Sequence, residues 1–189
     1  MIVWITGPSA SGKSTINFKV VEGLGVGYKN KKHSVDFYEF NDIIIIGRYI
    51  NPGRTLNGTD GVMVGKDKLK KFIDIEYLNW RHILMDGSKF VNEEILDHLL
   101  NYNTKIFYLN APMDKIISRS QERNNGWDKQ NTLQKREKEI KKYDTLFNMP
   151  KYIKNIEVRQ NLNMEDSKKI SNEILKLFSP INKIKGLPL

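Results

Sequence analysis

Residues 7–14 read GPSASGKS, and their types and spacing suit one chemistry, the wrapping of a phosphate chain. Glycines at either end allow backbone conformations that side chains would block, so successive N–H groups can turn inward around an anion. The stretch fits the pattern G-x-x-x-x-G-K-S/T without a mismatch. Gly7, Ser9, Ala10, Ser11 and Gly12 would form the wrap, and Lys13 would reach the β- and γ-phosphates as a point charge. The Ser14 hydroxyl is the expected Mg²⁺ ligand, with Thr15 the alternative. A helix that opens at Lys13 adds its positive dipole end to the same spot. The expected ligands are therefore a nucleoside triphosphate, ATP or a relative, and Mg²⁺.

A phosphoryl group held this way needs an acceptor and a means of moving a proton. Asp86 closes the apolar run HILMDG, where it either holds Mg²⁺, orients an acceptor, or caps the turn into Gly87 and Ser88. Arg119 and Arg123 stand four apart near a helix end and share a face. They either close over the transferring group, where guanidinium stabilises developing charge, or form a solvated helix face. A hydroxyl acceptor gains from a carboxylate that takes its proton. Asp60 is the first candidate for that base and Asp36 the second, with Asp86 able to serve twice. Arg48, Tyr49, Arg54 and Thr59 lie on or beside the loop in IIIIGRYINPGRTLNGTDG and are the candidate acceptor-binding residues. Tyr38, Phe40 and Tyr49 either stack on a base or belong to the core.

These residues need elements to place them. Ile2 to Thr6 reads as a strand buried on both faces, followed by the glycine-rich loop and a helix from Lys13 to about Gly23. Residues 23–33, GLGVGYKNKKH, read as an exposed connection, and GLGVG follows a helix rather than a strand, which disfavours a dinucleotide site. SVDFYEF and IIIIGRYI flank Asn41 and Asp42 and predict a β-hairpin. Helices are expected over 66–80, 92–100, 113–123, 129–143 and 165–178, and strands at HILMDG, KIFYLNAP and IKNIEV. Strands alternating with helices imply a parallel sheet covered on both faces.

The 189 residues suit one domain, with 39% hydrophobic residues sufficient for a substantial core. Zero Cys excludes a disulfide scaffold, thiolate zinc and thiol catalysis, and three scattered His argue against a histidine metal cluster. The first residues carry no basic leader and no apolar run of membrane-spanning length, so a cytoplasmic protein without a membrane partner is expected. A formal charge of +9 favours a polyanionic partner. The basic runs at 28–33, 66–71 and 129–143 either touch a phosphate backbone or are solvated, and Glu137 and Glu139 dilute the last.

The motifs GPSASGKS, ILMDG and YLNAPMDKIISRSQER resemble the small P-loop kinases of the adenylate-kinase-like group. Within that group, GRY and GTD resemble the bacteriophage kinases that phosphorylate 5-hydroxymethyluracil in DNA. This chain departs from them after GTD, continuing Gly61, Val62 and Met63 where they often have Arg-Leu-Ser. The resemblance implies a three-layer α/β P-loop kinase fold with a mostly parallel sheet, a β-hairpin insertion on the acceptor side and a helical lid. It implies one kinase domain over 1–179, with the hairpin and acceptor loop at 34–65, the lid and charged helix at 119–143, and a tail at 180–189. The implied reaction is transfer of the ATP γ-phosphoryl to the hydroxymethyl oxygen, a step in thymidine hypermodification. The alternatives are a kinase of a free nucleotide or small hydroxylated metabolite, and a nucleotide-dependent nucleic-acid-binding module. The oligomeric state is left open.

Overall fold

The computed structural model describes residues 1–47, 58–80, 82–123 and 129–178, the side chains at 123 and 129–132 excepted. Strand β1 (Ile2–Thr6) is wholly buried, with Ile2 and Trp4 in one core cluster and Val3 and Ile5 in the other. That alternation is the period-two mark of a strand covered on both faces. Next come α1 (Lys13–Leu24), β2 (Tyr28–Lys32), β3 (Val35–Phe40) and β4 (Ile43–Ile46). A single 3₁₀ turn at Thr59–Gly61 precedes α2 (Lys66–Asn79) and β5 (His82–Asp86). The chain continues through α3 (Glu93–Leu99), β6 (Thr104–Asn110), α4 (Met113–Arg123) and α5 (Lys129–Phe147). It closes with α6 (Pro150–Ile153), β7 (Ile156–Gln160) and α7 (Met164–Phe178).

The strands form one seven-stranded sheet in the order β2-β3-β4-β5-β1-β6-β7. From β4 to β7 all neighbours are parallel, while β2 and β3 add antiparallel strands at one edge. The expected hairpin about Asn41 and Asp42 is present as β3 and β4, and its second strand is also the first of the parallel set. One core cluster packs α2, α3, α5 and α6 on one face, through residues such as Phe72, Leu96, Tyr143 and Tyr152. The other packs α1 and α7 on the opposite face, through Ile16, Val20, Ile170 and Ile174. The chain therefore has the three-layer α/β architecture, and no described helix is long and apolar enough to cross a membrane.

Two expectations need correction. Residues 28–32 are not a mere connection but an edge strand, exposed throughout and paired with β3. His33 and Ser34 both take positive φ, at 51° and 66°, which is the geometry of a tight hairpin turn. The last strand begins at Ile156 rather than Ile153, because Pro150 occupies the first turn of α6 and starts a short helix there.

Candidate active site

The glycine-rich segment, residues 7–12, runs from the end of β1 into α1. Gly7, Ala10 and Gly12 take φ of 149°, 65° and 97°, and such alternation of hand makes neighbouring amides converge. At Gly12 a side chain is excluded twice over, by the left-handed backbone and by space, since a Cβ would stand 2.1 Å from Asn161 Nδ2. Ala10 holds its left-handed conformation despite its Cβ, a local strain of the kind found at binding loops. Lys13 folds back so that Nζ donates to the Gly7 and Pro8 carbonyls at 2.8 and 2.9 Å. Ser14 and Thr15 occupy the first turn of α1, whose leading N–H groups have no partner within the helix.

Facing the loop is the carboxyl edge of the sheet. The register sets Asp86 opposite Ile5, and Asp36 one residue beyond the pair Phe37 and Ile46, so both acids stand at that edge. Asp86 is 2% exposed, and its carboxylate packs on the Gly58 α-carbon so closely that a Cβ there would lie 2.3 Å from Oδ1. Asp60, on the 3₁₀ turn, packs the same way on Gly87. Its Oδ1 accepts from the Ser88 and Lys89 N–H groups at 2.8 and 2.7 Å, and Oδ2 from the Ser88 hydroxyl at 3.3 Å. Loss of water on burial pulls the Lys13 ammonium below its ordinary pKa, opposed by the charges of Asp60, Asp86 and Glu139 and assisted by Arg136. Five ionisable groups from four segments of the sequence thus sense one another at this spot.

Thr59 takes a different part from the one expected. It is 1% exposed, its hydroxyl donates to the Ile46 carbonyl at 2.8 Å and accepts the Asp86 N–H at 3.1 Å. It braces the ends of β4 and β5 from beneath rather than presenting a group to an acceptor. Phe40 is a core residue and Tyr38 packs partly buried against the same cluster. Arg48, Tyr49 and Arg54 lie outside the described residues, as does the side chain of Arg123.

Helix α5 brings in residues that sequence reading missed. Tyr143 Oη donates to the Gly7 carbonyl at 2.9 Å and lies 3.0 Å from the Thr6 hydroxyl, which itself donates to the Gly87 carbonyl at 2.8 Å. Glu139 accepts from the Ser9 N–H at 3.0 Å and the Ser9 hydroxyl at 3.3 Å, and pairs with Arg136 at 2.8 Å. Burial pushes the Glu139 carboxyl up, but the Ser9 N–H, Arg136 and Lys13 together hold it below its ordinary value. Arg136, Glu139 and Tyr143 recur at helical spacing, a signal submerged in the surrounding charge run.

On the other side of the loop Arg119 extends to Asn161, donating from Nη2 to its carbonyl at 2.9 Å, while Nη1 is buried without a partner among the described residues. The Asn161 side chain donates to the Ser11 carbonyl at 2.8 Å and accepts from the Ser167 hydroxyl at 2.8 Å. A cleft of about 500 Å³ opens here, walled by Gly12, Thr15, Arg119, Asn161, Leu162 and Met164. The basic runs divide in character: Lys29 and Lys31 are exposed on β2, whereas Lys66 and Lys70 pair with Glu94.

A scan against protein-family models finds no match, and a search of curated proteins finds none. Among solved structures, a sugar kinase from Janibacter sp. aligns with a TM-score of 0.50 at 15% identity, covering 93% of this chain and 94% of that one. Its likeness supports the three-layer α/β fold. Shikimate kinase from Acinetobacter baumannii in complex with shikimate aligns at 0.47 and 15% identity, over 94% and 92% of the two chains. Deoxyadenosine kinase from M. mycoides with bound dCTP aligns at 0.47 and 16% identity, over 94% and 100%.

Proposed function

We propose that this chain is an ATP-dependent kinase with an alcohol acceptor, and that the acceptor is the hydroxymethyl oxygen of 5-hydroxymethyluracil in DNA. The observation that carries the phosphotransfer reading is the meeting of Lys13, Asp60 and Asp86 at the mouth of a left-handed glycine loop. The residues present fit a magnesium triphosphate. Ser11 Oγ in the loop is buried without a partner among the described residues, and Ser14 and Asp86 offer the hard oxygen donors that Mg²⁺ prefers. No group of three or more His, Asp or Glu suited to a metal occurs among the described residues, so triphosphate oxygens and water would complete the shell. Bound there, Mg²⁺ would neutralise charge on the β- and γ-oxygens.

The chain's own residues then act in order. The loop amides and Lys13 hold the phosphates, and Asp60 aligns the acceptor hydroxyl and takes its proton. The acceptor oxygen bonds to the γ-phosphorus, the bond from that phosphorus to the β,γ-bridging oxygen breaks, and ADP leaves with the electron pair. Arg136 stands ready on α5 to meet charge on the moving group, at present paired with Glu139. A modified base in a duplex must be extruded, or offered single-stranded, for its hydroxyl to reach this point. The DNA reading rests on the GRY and GTD resemblance and on the charge of +9, and it implies affinity that falls steeply with salt.

The test is incubation with γ-labelled ATP and either 5-hydroxymethyluracil DNA or the free mononucleotide. Label entering the DNA supports the proposal. Label entering only the mononucleotide reassigns the acceptor to a small molecule, using the same Lys13, Asp60 and Asp86. ATP hydrolysis and DNA binding without labelled product would instead leave a nucleotide-driven binding module.

A further inference from the structure

We infer that Asn161 is a positioning residue that sets the peptide plane between Ser11 and Gly12, and so aims the Gly12 N–H into the phosphate loop. The inference rests on the reading of residues 7–14 as a phosphate site and names a part of it that lies about 150 residues away in the chain. A trans peptide is planar, with its C=O and N–H pointing in opposite directions. Asn161 Nδ2 draws the Ser11 carbonyl outward with a 2.8 Å hydrogen bond, which leaves the Gly12 N–H facing the other way, toward the loop interior. The Ser11 carbonyl can only accept, so the amide must turn Nδ2 toward it, and Oδ1 then accepts from Ser167 Oγ at 2.8 Å.

Three further facts make this a built device. Asn161 is 1% exposed. Its own carbonyl is clamped by Arg119 at 2.9 Å, from a helix that lines the adjoining cleft. Gly12 provides the room, since any Cβ there would collide with Nδ2 at 2.1 Å. The relay from Ser167 through Asn161 to Ser11 therefore ties the start of α7 to the anion-binding backbone. Asn161 does not touch phosphate in this arrangement; it acts through the peptide that does.

The experiment measures dissociation constants for ATP and for inorganic tripolyphosphate, by calorimetry, on the wild type, Asn161→Asp and Ser167→Ala. Asp at 161 keeps the shape but cannot donate, and its charge repels the Ser11 carbonyl. We expect both ligands to bind about tenfold more weakly or worse to N161D, and a few-fold more weakly to S167A. The apparent KM for ATP should rise in parallel, with kcat changing much less. Tripolyphosphate carries no base, so an equal loss for both ligands locates the effect in the loop. Weakening confined to ATP would shift the role to the cleft and overturn the inference, as would unchanged affinity for both ligands in folded N161D. Should N161D fail to fold, S167A decides: unaltered affinity refutes the relay. A wild type that binds neither ligand would instead sink the phosphate-site reading itself.

Discussion

Replacing Tyr143 with Phe removes one hydroxyl from the junction of β1, the phosphate loop and the turn after β5. The ring would stay, still stacked on Tyr108 at 5.0 Å and set edge-on to Phe147 at 5.3 Å. The Gly7 carbonyl keeps Lys13 as a donor at 2.8 Å, and the Thr6 hydroxyl keeps the Gly87 carbonyl at 2.8 Å. No buried group loses its last partner. The cost should therefore be only the net worth of a neutral hydrogen bond, about 1 kcal/mol. Thr6→Val is the contrasting change, because it removes the donor to the Gly87 carbonyl beneath Asp60. That variant should lose about 2 kcal/mol or more. Urea unfolding followed by tryptophan fluorescence reads both, Trp4 being buried in the core. With a urea slope of about 2 kcal/mol per molar, the midpoints should drop by about 0.5 M and 1 M. The double variant should fall short of additivity by about 0.5 kcal/mol, since the two hydroxyls are in contact. A Y143F loss equal to or larger than that of T6V would refute the reasoning, for it would mean that Tyr143, not Thr6, carries the unshared bond.

Asp60→Asn keeps an oxygen for the Ser88 and Lys89 N–H groups, so the loop should stand and ATP affinity stay within about threefold, while turnover falls about 100-fold or more in a phosphotransfer assay. Lys13→Ala should lower kcat/KM by at least about 100-fold, measured in steady state, because a preorganised charge on the phosphates is lost. Glu139 gives a pH prediction with a definite sign. Its carboxyl is held below the ordinary 4.5, so the contact with Ser9 stabilises the fold fully above that value and is lost as pH falls further. Unfolding midpoints of wild type and Glu139→Gln should accordingly differ at pH 6 and draw together as pH falls below 4.5, a trend that a merely solvated Glu139 would not produce.

The parts that could be read from sequence are those whose information is local. A buried strand, a glycine loop and a helix start follow one another within residues 2–24, so Lys13 and Ser14 could be placed by spacing alone. Asp86 at the end of an all-buried strand was legible for the same reason. The β3–β4 hairpin announced itself through Asn41, which takes a φ of 51°. By contrast, YKNKK has no alternation of apolar and polar residues, and it becomes a strand only because β3 offers a partner across an unusual His33-Ser34 turn. Glu139, Tyr143 and Asn161 reach the loop from 130 to 150 positions away, through contacts that no local pattern encodes. Thr59 looked like a loop residue open to a ligand, and only the tertiary structure shows its hydroxyl bridging two strands.

The sheet has two rims, and both are electrically blunted. On β2 Lys29 and Lys31 are exposed, and on β7 Glu157 and Arg159 belong to an ion network with Lys105 and Glu173. A stray strand docking at either rim would have to strip water from these charges while aligning its backbone. The sheet that gathers Asp36 and Asp86 at its carboxyl edge is thereby kept from growing sideways, so concentrated protein should resist fibre formation until these rims are neutralised.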